Sequence, residues 1–65
     1  MEINAKKIKI FKIANRRGYA ATFKNYLTEG RLVSKSYQRM VKALKRNGIK
    51  VKNQPKDIRK LVISF

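Results

Sequence analysis

The stretch YAATFKNYLTEGRLV, Tyr19 to Val33, can be laid down in two ways, and the choice sets the fold. As a helix, it places Tyr19, Ala20, Phe23, Tyr26 and Leu27 on one stripe at helical spacing, with Gly30 as the stop. As strands, it puts Tyr19, Ala21 and Phe23 on a common face, and TEGR, Thr28 to Arg31, becomes a hairpin turn leading back through Leu32 and Val33. Both patterns fit, and two observations favour strands. The glycine-containing segments NRRG (Asn15 to Gly18) and TEGR are separated by a hairpin's length, and Gly18 is a poor residue for a first helical turn.

Working outward, KKIKIFKIA before this stretch alternates Lys7, Ile8, Lys9 and Ile10, the two-residue period of a half-buried strand with Ile8 and Ile10 facing in. The alternation slips at Phe11 and resumes at Ile13, which admits a bulge or a second buried face. After it, SKSYQRMVKALKRNG (Ser34 to Gly48) reads as a two-faced helix. At about 100° per residue, Val33, Tyr37, Met40, Val41 and Leu44 gather on one side, while Lys35, Arg39, Lys42 and Arg46 gather opposite. Ser34 is the natural N-cap and Gly48 the natural residue beyond the C-cap. IKVKN alternates again, with Ile49 and Val51 on one side, and KLVISF is a short β-branched run; NQPKDIR joins the two.

The predicted fold class is therefore α+β: a small antiparallel sheet with one amphipathic helix packed on it, in the order β-β-(β)-α-β-β, over residues 1–65 as a single domain. The core is expected from the helix stripe on one side and from Ile8, Ile10, Phe23, Ile49, Val51, Val62 and Phe65 on the other, with Tyr19 and Tyr26 half-buried at its margin. A winged helix-turn-helix is the alternative.

Composition bounds the function. A chain of 65 residues buries only about 60% of its unfolded surface, which leaves little room for a deep catalytic cleft. Neither Cys nor His is present, which removes thiolate chemistry, disulfides and the commonest general base, and Glu2, Glu29 and Asp57 lie far apart. The reading is a non-enzyme without cofactor or metal. Eighteen Lys and Arg against three acids give a net charge of +15, spread from Lys6 to Lys60. A domain that repels itself this strongly points to a polyanionic partner, and nucleic acid leads, DNA before RNA. No apolar run approaches the roughly 20 residues that cross a bilayer, and MEINAKK lacks the apolar centre of a signal peptide, so a cytoplasmic protein, nucleoid-associated in one reading, is expected.

Two surfaces are candidates for the contact. The helix stripe Lys35, Arg39, Lys42 and Arg46 presents four cations to one anionic surface and contains no acid to form supporting i,i+4 pairs. The turn NRRGY offers the planar forks of Arg16 and Arg17 beside Gly18, suited to phosphate or a guanine edge. The Lys-rich segment around NQPKD is a third, weaker candidate. No Gly-rich phosphate loop is present, which favours a polymer over a nucleotide.

About half the chain, NRRGYAATFKNYLTEGRLVSKSYQRMVKALKR, resembles the hairpin, hairpin, helix arrangement of the three-stranded-sheet DNA-binding domains at the N-termini of some integrases. That resemblance implies that the sheet enters the major groove, which would give Arg16, Arg17, Lys24, Asn25 and Arg31 the leading role. The stretch YLTEGRLVSKSYQRMVKALKRNGI is also similar to a helix-turn-helix followed by a wing, with VSKSYQRMVKAL as recognition helix, though Gln38 stands where that family has an apolar residue. The functional expectation is a DNA-binding accessory or regulatory factor of phage, plasmid or nucleoid type. Three alternatives stand beside it: a small ribosomal-type RNA-binding protein, an inhibitor of an acidic protein partner, and a homodimeric form of the domain.

Overall fold

A computed structural model describes residues 1–15 and 17–63. The ambiguous stretch forms two strands. The elements run β1 (Glu2–Asn4), β2 (Lys9–Lys12), β3 (Tyr19–Phe23), β4 (Tyr26–Gly30), the helix α1 (Val33–Arg46) and β5 (Lys50–Lys52), with short 3-10 turns at Ala5–Lys7 and Ile58–Leu61. Strands β2, β3 and β4 form an antiparallel meander, and β1 pairs in parallel with β5. One helix lies on this small sheet, the α+β class that the periodicities predict.

The meander has one face toward α1 and one away from it. The register Ile10↔Ala21↔Thr28, with Phe23↔Tyr26 beside it, puts these residues on the helix side. Ile10, Ala21 and Phe23 are buried there, and Thr28 donates its hydroxyl to the Ser36 carbonyl of α1 at 2.9 Å. The intervening rows, Lys9↔Thr22↔Leu27 and Phe11↔Ala20↔Glu29, make the outer face. The apparent slip at Phe11 is thus no bulge: the pairing is continuous, and Phe11 points outward. Tyr37, Met40 and Leu44 of α1 are buried against the inner face, while Val33 and Val41 pack at its edge. Ile3, Ala5, Ile8, Val51 and Leu61 complete the core, with Tyr19, Tyr26 and Ile49 packed partly against it. Phe65, expected in this core, lies outside the described residues.

Several local expectations are corrected, each for a physical reason. The β3–β4 turn is Lys24–Asn25, not TEGR; Lys24 takes a positive φ of 50° there, and its ammonium lies 5.6 Å from the centre of the Phe23 ring. Gly30 ends β4 because the first turn of α1 comes too close for any side chain. A Cβ on Gly30 would lie 2.7 Å from the Ser36 nitrogen and 2.8 Å from the Lys35 Cβ. The N-cap of α1 is Leu32, whose extended backbone (φ −118°, ψ 155°) turns its carbonyl to the Ser36 amide, so Ser34 falls inside the helix and Leu32–Val33 is no strand. At the other end Gly48 has φ +76°, and the Ile49 amide reaches back to the Leu44 carbonyl at 2.9 Å, the left-handed stop anticipated for it.

The first strand begins at Lys9 rather than Lys7, because the Asn4 side chain accepts from the Lys6 amide and winds Ala5–Lys7 into a 3-10 turn. KLVISF is not a full strand either. Asp57 accepts from the Arg59 amide and guanidinium and starts a second 3-10 turn, after which Val62 bridges Ile10 and the Ile63 amide donates to the Ile10 carbonyl at 2.7 Å. These hydrogen bonds from Arg59 hold the Asp57 carboxyl below its ordinary value. The winged helix-turn-helix alternative fails because Tyr26–Gly30, where a helix would have to precede the recognition helix, is strand β4.

Two substitutions test this packing. Gly30→Ala forces a methyl against helix backbone and should cost about 1–3 kcal/mol in a denaturant titration; an unchanged midpoint would mean that α1 stands farther from β4. Tyr37 is 2% exposed, and its hydroxyl has no hydrogen-bond partner among the described residues, so burial pushes its pKa up. Tyr37→Phe should stabilise the fold by about 1 kcal/mol, and a clear fall in melting temperature would reveal a partner for that hydroxyl.

Candidate nucleic-acid interface

The sequence candidates sort into two places. At the end of the meander where β4 meets α1, the β2–β3 loop is closed by the Ile13 amide donating to the Gly18 carbonyl at 3.1 Å. This puts Arg17 beside Arg31, which directly follows β4. Arg39 reaches them from the second turn of α1, donating from Nη1 to the Glu29 carbonyl at 2.7 Å. Arg17, Arg31 and Arg39 line one open recess of about 370 Å³ together with Ile13, Glu29 and Gly30. Residues from both rival surfaces, the turn and the helix stripe, therefore share a single site. Arg16 lies outside the described residues.

The position of Arg39 follows from the pairing of β4. Because Tyr26, Thr28 and Gly30 face β3 with their backbone groups, the carbonyls of Leu27 and Glu29 point to the open edge of the sheet. Arg39 uses one nitrogen on that edge and keeps the rest of its fork for other acceptors. Sequence reasoning placed Arg39 on the outer helix stripe and missed this bond, for which periodicity carries no signal.

Lys35, Lys42 and Arg46 are exposed on α1 and continue the basic surface away from the recess, as the helical spacing predicts. The first turn of α1 carries no acid and no side-chain cap, so the positive end of the helix dipole adds to the potential beside Arg31. Lys24 and Asn25, by contrast, sit at the opposite end of the β3–β4 hairpin and do not join the arginines. The outer face of the sheet is a different environment again. Lys9 and Glu29 balance each other in formal charge, Leu27 is 59% exposed, Phe11 and Thr22 are half-buried, and Ala20 is covered. Among the described residues, no group of three Asp, Glu, His or Cys could hold a metal ion, and no helix is long and apolar enough to cross a membrane.

No protein-family model matches the chain, and no curated protein or solved structure matches it.

If Arg39 serves the sheet edge with a single exposed bond, Arg39→Met should cost only about 0.5–1.5 kcal/mol. Amide shifts in a heteronuclear NMR spectrum should change around Glu29 to Arg31 and leave the core strands in place. Global unfolding would make Arg39 a structural residue first.

Proposed function

We propose that the protein binds nucleic acid, duplex DNA in preference to RNA, through phosphate contacts of the arginine recess and the exposed basic face of α1, with limited sequence discrimination. The observation that carries this reading is the convergence of Arg17, Arg31 and Arg39 from a loop, a strand end and a helix on one recess. Guanidinium forks pair with phosphate oxygens in bidentate geometry, and three of them around one concavity match a polyanion better than a solvated surface requires. Lys35, Lys42 and Arg46 extend the same field along α1, the arrangement of a surface that tracks a phosphate backbone.

Charge balance supports this. Even if each of the three acids neutralised one cation, fifteen of the eighteen would remain uncompensated, 18 − 3 = 15. The accompanying repulsion is relieved when counterions or phosphates gather on the surface. The sheet-first arrangement implied by the integrase-like resemblance receives less support, because the outer sheet face carries one Lys against one Glu, while Lys24 and Asn25 stand apart from the arginines. On this reading the protein is a binding factor rather than an enzyme, acts in the cytoplasm or on the nucleoid, and serves as an accessory or regulatory DNA-binding protein.

Titration against duplex DNA at several salt concentrations tests it. Neutralising about four to six phosphates should give log affinity a slope of roughly −4 to −5 against log salt. A slope near zero would overturn the proposal, and tighter binding to structured RNA at equal salt would move the partner from DNA to RNA. Within the site, Arg17→Gln with Arg31→Gln should weaken binding to all duplexes about equally, as should Arg39→Gln with Lys42→Gln. Loss of discrimination among sequences from the first pair alone would instead favour reading by the end of the sheet.

A further inference from the structure

On the flank of α1 away from Arg39, a second recess of about 520 Å³ opens between the helix and β5, lined by Val41, Lys45, Ile49, Lys50, Val51 and Gln54, with Gly48 at its end. Its floor is branched aliphatic: Val41 and Ile49 are only half-buried, and Val51 lies at its margin. Its rim is cationic, with Lys45 and Lys50 exposed and no acid in the lining.

One side of this recess is a strand edge. The Lys50 amide donates to the Met1 carbonyl at 2.8 Å, and the register Glu2↔Lys50, Ile3↔Val51, Asn4↔Lys52 turns the backbone groups of Lys50 and Lys52 toward β1. Backbone groups alternate along a strand, so those of Ile49 and Val51 point the other way. The Ile49 amide is used, donating to the Leu44 carbonyl at the end of α1. The amide and carbonyl of Val51 have no strand beside them, since β5 pairs with β1 alone.

We propose that this recess is a docking groove for an extended acidic segment of a partner protein. The segment pairs its backbone with Val51, seats an apolar side chain on Val41 and Ile49, and brings carboxylates to Lys45 and Lys50. Charge selects the occupant. A second copy of the chain would bring another +15 to a cationic rim. Nucleic acid finds neither an aromatic stacking surface nor an arginine fork here, only aliphatic side chains and a strand edge. The groove shares no residue with the arginine recess, so a protein partner and a polyanion can be held together.

The test uses a short acetylated peptide alternating glutamate with valine, titrated into the isotope-labelled full chain and followed by NMR. Shifts should centre on Val41, Ile49 and Val51, and Lys45→Gln with Lys50→Gln should weaken the affinity severalfold. Two further peptides, N-methylated on alternate amides, keep the charge and remove opposite halves of the backbone donors. One of them should bind at least about tenfold more weakly and the other close to the parent. Duplex DNA should leave the peptide bound. Equal binding by both methylated peptides, shifts centred on Arg17, Arg31 and Arg39, or displacement by duplex DNA would each overturn the proposal; loss of duplex binding by the chain itself bears on the arginine recess and leaves this groove untouched.

Discussion

The arrangement hangs on a single close approach, that of Gly30 to the first turn of α1. With atoms of Lys35 and Ser36 under 3 Å from where a Cβ would stand, the helix can begin against the very end of β4. The rest of the contact follows from that start. Thr28, two residues back along the strand, meets the Ser36 carbonyl, and the next turn of the helix brings Arg39 over the sheet edge to the Glu29 carbonyl. Gly18 belongs to the same constraint. It carries φ +137°, and a Cβ there would come within 3.0 Å of the Gly30 carbonyl oxygen, so the two glycines let the β2–β3 loop, the end of β4 and the start of α1 crowd together. The clustering of Arg17, Arg31 and Arg39 is a by-product of this packing, because each arginine sits next to, or one helical turn from, a residue that takes part in it.

The amphipathic pattern of the helix was legible because a period near 3.6 assigns a face to every residue without knowledge of the rest of the chain. Tyr37, Met40 and Leu44 are buried and Lys35, Arg39, Lys42 and Arg46 are exposed as that period requires. The strand character of Tyr19–Phe23 was legible for a similar reason. Less so was the place of the turn. A glycine draws the eye as a turn residue, yet Gly30 is small to admit a helix, while the turn falls on Lys24–Asn25, where a lysine takes positive φ. The same residue type answers two different demands, and only the neighbouring element decides between them.

The parallel pair β1–β5 was hidden from the sequence. Three residues on each side offer one alternation apiece, and their partners are separated by nearly the whole chain, so nothing local marks Glu2–Asn4 as a strand. The site was half legible in the same sense. Basic residues at helical spacing and arginines in a turn could be named individually, but their meeting depends on how α1 lies along β4, which is tertiary information. The merging of the two candidate surfaces at Arg39 could not have been read from either stretch alone.

The helix carries two conflicting electrostatic demands, and the geometry divides them between its flanks. Lys35, Arg39, Lys42 and Arg46 repel one another at i,i+3 and i,i+4 spacing, and Lys35 stands in the first turn, where the dipole disfavours a cation. Lys45 and Arg46, in the last turn, are favoured by that dipole. The helix is therefore electrostatically strained at the end beside the arginine recess and relaxed at the end beside β5. A dense polyanion settling at the strained end lowers the repulsion among several cations at once, whereas an acidic peptide at the relaxed end meets only a pair of lysines already stabilised by the helix terminus. Affinity at the first surface should for that reason depend steeply on salt, while at the second the aliphatic floor and the strand edge must contribute most of the binding, since two exposed lysines add little on their own.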